Sequence, residues 1–150
     1  MPTSAPEAPD CAFCSIVQQD DPDVREVYRD GTVVVFFPDE PATLGHTLIV
    51  PLRHVPDIWS VDHDLAAHLG RATVDVAAAV KRAMKPDGLN IIQSNGDAAT
   101  QTVMHLHVHV VPRWEGDQIG RIWPPESGYS EFQKDKAWDA IRAECRGIRN

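Results

Sequence analysis

Short apolar runs bounded by turn residues predict strands in the first third of the chain. The segments REVYRD and TVVVFF read as two strands joined at Asp30-Gly31, a dipeptide that favours tight hairpins. A turn-rich loop, PDEPATLG, then leads into a third strand, HTLIVPL. The chain therefore begins its folded part as a set of consecutive short strands.

The hydrophobic period changes between Asp62 and about Met84. Apolar residues recur there at helical spacing with alanines between them, which indicates a long amphipathic helix. Its buried stripe is expected to comprise Leu65, Leu69, Val76 and Val80. The segment GLNIIQSNG returns to strand, and MHLHVHVVPR, residues 104–113, is the fifth strand. The segments CAFCSIVQQ and SEFQKDKAWDAIRAEC predict shorter helices near the two termini.

This order of elements predicts an α+β fold with a five-stranded, mostly antiparallel sheet, one long helix and shorter terminal helices. Residues 1–10, MPTSAPEAPD, are rich in proline and alanine, and we expect a disordered lead-in there. Residues 11–150 are predicted to form one domain, with a variable loop and helix over residues 114–150. A chain of 150 residues is long enough for a single core.

The composition is typical of a soluble globular protein and argues against membrane or nucleic-acid partners. The chain is 43% hydrophobic and 24% charged, as in soluble globular proteins. No apolar run approaches the roughly 20 residues of a membrane span, and the N-terminus lacks a secretory signal pattern. We therefore expect a cytoplasmic protein that does not bind membranes. The net charge of −8 argues against a nucleic-acid partner, but a local pocket of imidazoles could still hold a small anionic substrate.

The fifth predicted strand carries three histidines at every second position. Because alternate residues of a strand share a face, His105, His107 and His109 point one way. The residues between them point into the core: Leu106, Val108 and Val110. The row could be a solvated polar face. It could also contribute to a metal site, but imidazoles along one straight strand are poorly placed for a single tetrahedral ion, so a metal would need other ligands.

The same region resembles a known family. HLHVHVV matches the alternating signature of the histidine triad (HIT) family of nucleotide hydrolases and transferases, and SNGDAATQTVMHLHVHVVPR resembles that family's approach to the triad. PATLGHTLIVPLRH resembles its Pro-x-x-x-Gly-His strand. The similarity runs in register from about residue 11 to residue 113. It implies the HIT fold and a homodimer in which two five-stranded sheets join.

The resemblance also implies a mechanism. His107 would attack the α-phosphorus of a purine nucleotide conjugate, such as a nucleoside phosphoramidate, and water would then hydrolyse the nucleotidyl-histidine. Neutral imidazole is an adequate nucleophile near neutral pH, provided that its other ring nitrogen donates to an acceptor, by resemblance a carbonyl near His105. His109 and His46 would donate to the phosphate oxygens, although His46 could equally be an ordinary buried histidine.

Two alternatives to this function remain open. A dinucleoside polyphosphate hydrolase or phosphorylase would use the same attack on the α-phosphorus. A nucleotide-binding scaffold protein with incidental catalysis would bind the nucleotide and release it unchanged. Turnover of a chromogenic AMP conjugate would distinguish the scaffold from the enzymes.

By resemblance, several further residues belong to the nucleotide site. Gln101, counted with the catalytic residues, and Thr102 occupy phosphate-contacting loop positions, with Asn95 nearby. Three aromatic residues lie at or beside positions that flank the base and ribose, although each could instead be core: Phe13, Phe36 and Phe37.

The chain departs from the family where many relatives carry a ribose-binding Asp or Asn. It has Pro38 at that position, and proline has no side-chain acceptor. Asp39, one step later, could take over the contact through a changed loop.

The pair Cys11-x-x-Cys14 allows three interpretations. A thioredoxin-like redox pair needs a preceding strand, which is missing, and two unrelated buried thiols need no further partner. With His54 and His105 the pair would complete a Cys₂His₂ set, and zinc-bearing members of the family place ligands at these positions. The resemblance thus implies one structural Zn²⁺ that links the N-terminal helix to the sheet without activating water.

Overall fold

The structure is a computed structural model that describes residues 10–19 and 21–149. The predicted lead-in, apart from Asp10, lies outside the described residues. The chain divides into two compact units, one ending at Gln118 and the other beginning at Ile119. Whether residues 11–150 form one domain stays a prediction.

The first unit is built on a five-stranded sheet with the strand order β1-β2-β3-β5-β4, in which every neighbouring pair is antiparallel. The strands are β1 (Glu26–Arg29), β2 (Val33–Phe36), β3 (Thr47–Pro51), β4 (Gly88–Ile92) and β5 (Val108–Arg113). The predicted α+β class and sheet are confirmed.

The turn between β1 and β2 forms as the Asp30-Gly31 dipeptide predicts. One carboxylate oxygen of Asp30, Oδ1, accepts the backbone N–H groups of Thr32 at 2.7 Å and Val33 at 2.9 Å. A short acidic side chain satisfies the turn's donors in this way and favours the turn over an extended chain. The hairpin is therefore encoded locally.

The long helix α2 (His63–Met84) begins and ends as expected. Asp62 caps it, its side chain accepting the N–H of Leu65 at 2.9 Å, and Lys85 ends it in the left-handed conformation with φ 49°. The predicted stripe of apolar residues is buried and packs on one face of the sheet. The core on that face comprises Val33, Val35, Ile49, Val55, Leu65, Leu69, Val76, Val80, Leu106, Val108 and Val110.

The other face of the sheet receives the short helix α1 (Ala12–Val17). A second, smaller apolar cluster forms there from Phe13, Val34, Phe36, Leu48 and Val50. Leu48 pairs with His109 across β3 and β5, so the histidine lies on the face that carries α1. The sheet thus has a larger apolar face under α2 and a face that combines apolar residues with histidines.

One boundary differs from the sequence prediction. The fifth strand begins at Val108, not at residue 104, because its pairing with β3 stops at Ile49 and Val108, although β3 itself continues to Pro51. The preceding segment pairs with a loop instead, where Leu106 donates its N–H to the carbonyl of Val55 at 2.6 Å. Alternation nevertheless persists through the loop-paired segment, with Leu106 buried in the core under α2.

The second unit contains helix α3 (Glu131–Cys145), at the predicted position. Ser130 and Gln133 form a reciprocal capping box that satisfies backbone groups at its start. Among the helices of the described part of the chain, none is long and apolar enough to cross a membrane.

Candidate active site and metal cluster

His107 is held with one ring nitrogen occupied and the other available. Its Nδ1 lies 2.7 Å from the backbone oxygen of His105. Since a carbonyl oxygen only accepts, Nδ1 carries the hydrogen and Nε2 keeps its lone pair. The ring is buried, and the edge of the Phe13 ring approaches it with centroids 5.0 Å apart. This is the tautomer and orientation that a nucleophilic imidazole requires.

His46 and His109 form a chain of hydrogen bonds that fixes both rings. The backbone N–H of Ala42 donates to His46 Nδ1 at 3.0 Å, so His46 carries its hydrogen on Nε2. That Nε2 donates to His109 Nδ1 at 2.9 Å, which leaves His109 with a hydrogen on its own Nε2. The ring centroids of His107 and His109 are 4.8 Å apart. His107, whose Nε2 has a free lone pair, therefore lies beside His109, whose Nε2–H is a hydrogen-bond donor.

Burial keeps these imidazoles uncharged. Desolvation, together with repulsion from the neighbouring His107 and His46, lowers the pKa of His109 from 6.5 to about 4. The pKa values of His46 and His107 are lowered as well, in both cases chiefly by burial. Near neutral pH the three rings are neutral, and His107 can attack an electrophile without first losing a proton.

A second cluster surrounds His105, two residues before His107. Cys11, Cys14, His54 and His105 each present one ligand atom, and these atoms all lie within 4.8 Å of one another. The two histidine Nδ1 atoms are 3.2 Å apart, and the Sγ atoms of Cys11 and Cys14 lie 3.5 and 3.6 Å from His105 Nδ1. Cys14 Sγ lies 3.3 Å from His54 Nδ1.

These spacings fit a tetrahedral ion. Zinc bonds of about 2.3 Å to sulfur and about 2.0 Å to nitrogen place neighbouring ligand atoms about 3.3–3.8 Å apart. The orientation of the His105 ring also fits a metal ligand. Its Nε2 donates to the carbonyl of Pro51 at 2.8 Å, which turns Nδ1 toward the cysteines. Burial lowers the pKa of His105 to about 4, so the ring is neutral as a ligand must be. The four residues could hold a metal ion.

Comparison with known proteins identifies the family of the chain. A family model described as the HIT domain matches residues 19–116. The chain belongs to the HIT family. This membership places it in a superfamily of nucleotide-binding proteins and hydrolases.

Three relatives of this HIT protein illustrate the similarity. "Protein hit" of Bacillus subtilis is 36% identical over 117 residues, which cover 77% of this chain and 80% of the relative. The crystal structure of a Zn-bound histidine triad family protein from Mycobacterium smegmatis has a TM-score of 0.70 at 31% identity, covering 92% of this chain and 99% of that one. Adenylylsulfatase HINT3 of Arabidopsis thaliana is 30% identical over 118 residues, which cover 79% of this chain and 58% of that protein.

The loop before the histidine row is tied together by two amide side chains. Gln101, only 4% exposed, accepts the N–H of Gly96 at 2.8 Å and donates to the carbonyls of Pro56 and Val103. Asn95 accepts the N–H of Ile58 at 2.7 Å and exchanges hydrogen bonds with Gln93. Both amides hold the backbone of this HIT protein's loop in place. Thr102, between Gln101 and the row, is exposed.

The predicted aromatic residues are divided between the two faces. Phe13 lies against His107, and Phe36 packs on Phe13 with centroids 5.5 Å apart but is 2% exposed. Phe37 lines a cavity beside α2 together with Val76 and Val80, and so it lies on the face away from the histidines. The structure thus does not bring Phe37 to the predicted site. Asp39 is exposed on the loop that follows β2.

Sequence reasoning missed the backbone groups that define the site. The N–H of Ala42 and the carbonyl of Pro51 fix the tautomers of His46 and His105. Every residue except proline carries an N–H, and every residue carries a carbonyl, so no residue type signals such a role. The Pro-x-x-x-Gly-His motif was the available signal for Ala42, since it determines the turn that brings the N–H back to the ring.

Proposed function

We propose that this HIT protein is a hydrolase or transferase that attacks the α-phosphorus of purine nucleotide conjugates through His107. The observation that carries the proposal is the hydrogen bond from His107 Nδ1 to the carbonyl of His105, which leaves Nε2 with a free lone pair in a buried, neutral ring. Histidine in this form is a nucleophile for phosphorus at neutral pH.

The reaction has two displacements. His107 Nε2 donates its lone pair to phosphorus, the bond to the leaving amine or oxyanion breaks, and the leaving group departs with the electron pair. Water then attacks the nucleotidyl-histidine and loses a proton, the N–P bond breaks, and the ring recovers its lone pair. The proton that water loses balances the one that the departing amine takes up. In both steps His109 Nε2–H, aligned by His46, donates to the phosphate oxygens where charge accumulates.

Nucleoside phosphoramidates are the proposed substrate class. Family membership and the adenylylsulfatase relative support chemistry at a nucleotide α-phosphorus. In this proposal Asn95, Gln101 and Thr102 form the phosphate loop. Phe13, with Phe36 behind it, borders the nucleoside, and Asp39 binds the ribose. Dinucleoside polyphosphates remain the alternative substrates, and a scaffold role would follow if conjugates bind without turnover.

We also propose that the cluster of Cys11, Cys14, His54 and His105 holds one structural Zn²⁺. A closed set of four protein ligands leaves no position for water, so the ion would attach α1 to the sheet and take no part in the displacements. Elemental analysis should give about one zinc per chain. Protein purified free of metal, with full stability, would contradict the proposal.

Two further properties belong to this proposal. β4 is an edge strand with Ile91 46% exposed, which suits the homodimer predicted from the family resemblance. Reduced cysteines of the kind that a zinc site needs persist in the cytoplasm. Light scattering of the purified protein tests the first property, and localisation of a tagged chain in cells tests the second.

The decisive experiment is to trap the covalent intermediate. After rapid quenching without acid, mass spectrometry of protein mixed with an AMP phosphoramidate should place an AMP adduct on His107. His107→Ala should show no adduct and no turnover, whereas the matched control His63→Ala, at an exposed histidine of α2, should retain both. An adduct on another residue, or wild-type turnover by His107→Ala, would overturn the mechanism.

A further inference from the structure

A cavity of about 680 Å³ lies on the face of the sheet opposite the histidines. It runs between α2 and the β1–β2 hairpin, and its volume falls within the range of roughly 300–1,000 Å³ typical of small-molecule sites. Its apolar wall is supplied by one side of α2: Ala72, Val76, Ala79, Val80, Ala83 and Met84. The proposed reaction uses no part of this cavity.

A hydrogen-bonded network occupies the polar end of the cavity. Asp30 Oδ2 accepts both the hydroxyl of Tyr28 at 3.2 Å and Nε2 of His68 at 3.0 Å. Asp30 Oδ1 is already used by two backbone N–H groups of the hairpin turn. These bonds lower the pKa of Asp30 to about 2, so it is a permanent anion with its acceptor positions filled.

The groups that remain open to a ligand at this end are mostly acceptors. Tyr28 has given its hydrogen to Asp30, so its oxygen offers lone pairs. Asp75 also lines the cavity, and its carboxylate makes no ion pair or side-chain hydrogen bond among the described residues. Arg71 is the single cationic side chain among the lining residues. Two carboxylates and one guanidinium leave one excess negative charge.

Two aromatic rings complete the surroundings of this polar end. Tyr28 and Phe37 both line the cavity, and aromatic faces attract cations through their quadrupole. A cluster of lone pairs, an unpaired carboxylate and aromatic rings next to an apolar wall is complementary to a group with several N–H donors, a positive charge and a hydrocarbon body. Neutral alcohols supply only one donor, and carboxylic acids are repelled by the excess negative charge.

We propose that this cavity is a second binding site that takes a primary ammonium ligand with an aryl or alkyl body. The ammonium lies between Asp75 and the Tyr28 oxygen, and the body lies along Val76, Ala79 and Ala83 of α2. The site is separate from the catalytic histidines because it opens on the other side of the sheet.

The test is a titration of the full chain with 2-phenylethylamine, 2-phenylethanol and 3-phenylpropanoate, at a pH well above the ordinary pKa of histidine. Methyl NMR should show shifts at Val76 and Val80, which line the cavity, and none at Val34 and Val50 on the histidine side. Calorimetry should give binding of the amine about five-fold tighter than binding of the alcohol, with the acid weakest.

Three variants decide between the outcomes. Asp75→Asn should reduce the affinity for the amine to that for the alcohol. Asp64→Asn, at an exposed acid of the same helix outside the cavity, should leave the affinity for the amine unchanged. Ala79→Phe should abolish binding of all three probes. Equal affinity for amine and alcohol, or shifts confined to the histidine side, would overturn the proposal. It would also be wrong if Ala79→Phe converts a dimer to a monomer, because a second copy would then occupy this face.

Discussion

The two histidine clusters of this HIT protein hold the same side chain in opposite tautomers. In the metal cluster, His105 Nε2 is bound to the carbonyl of Pro51, and Nδ1 faces two thiols and a second imidazole. In the neighbouring cluster, His107 Nδ1 is bound to the carbonyl of His105, and Nε2 is free. The two rings are two residues apart on the same face.

The backbone acceptor decides which ring nitrogen of an imidazole keeps its lone pair. A carbonyl that fixes Nε2–H directs Nδ1 inward to a crowded set of ligands, while a carbonyl that fixes Nδ1–H leaves Nε2 to react. The cluster around His105 is predicted to stabilise the fold, and the cluster around His107 is predicted to catalyse the reaction. Substitutions should therefore separate stability from turnover.

Removing a cysteine from the metal cluster should change the stability of the protein more than any other substitution considered. Cys14→Ser should reduce the free energy of unfolding by about 4 kcal/mol or more, because loss of a metal site removes a link between α1 and the sheet. The folded fraction should keep most of its turnover at moderate temperature. Denaturant unfolding and activity, measured on the same samples, check both statements. The matched control is Cys145→Ser, at an exposed cysteine outside the cluster, and an equal loss there would remove the distinction.

The next effect concerns turnover without loss of the fold. His109→Ala should lower turnover by about 10²–10³-fold, as the removal of one donor to a developing oxyanion does in other enzymes. The His107 adduct should still form, more slowly, and the unfolding midpoint should change far less than in Cys14→Ser. Single-turnover kinetics and unfolding curves provide the measurement. A His109→Ala protein with unchanged rate would show that this ring has no role as a donor.

A smaller effect is expected from pH. The pKa of His109 is 6.5 in its ordinary state and about 4 in the fold, so between these values the unfolded chain binds a proton that the folded chain does not. Stability from this group is complete above about pH 6.5 and is lost as pH falls toward 4, by about 3 kcal/mol at most. His109→Asn should unfold with a shallower pH dependence in this window. Identical slopes for the two proteins would contradict the assignment.

The smallest effect tests where nucleotide preference resides. If Asp39 replaces the ribose-binding carboxylate that Pro38 displaces, Asp39→Ala should raise KM for a ribonucleotide substrate about five-fold and leave kcat unchanged, as loss of one hydrogen bond does. Glu40→Ala, its exposed neighbour, is the control. An unchanged KM would mean that the ribose is held by other groups and that Asp39 lies outside the reacting cluster.

Much of the fold could be predicted because its signals are local. Asp30-Gly31 specifies the hairpin, and the apolar spacing from Leu65 to Val80 specifies the buried side of α2. The start of β5 could not be predicted, because it depends on where the pairing with β3 stops and on the loop carbonyl of Val55, which accepts the N–H of Leu106. The number of residues over which two strands pair depends on tertiary contacts, so the apolar pattern of one segment does not predict it.

The candidate site divides in the same way. Residue type and spacing identified the two cysteines and the histidine row, since few other roles use thiols and imidazoles at those positions. Phe37 was predicted either at or beside the base and ribose or in the core. It directly follows β2 and lines the cavity beside α2, a placement that depends on the packing of α2 and not on the residues next to Phe37 in the chain.

The separation of the proposed metal ligands along the chain has a consequence for biosynthesis. Cys11 and His105 are 94 positions apart, while Cys14 and His54 are 40 apart. A ribosome therefore delivers both thiols early, the third ligand midway and the last one only after two thirds of the chain has been translated. A product that stops before residue 105 lacks the fourth proposed ligand, so only a longer chain can complete the set.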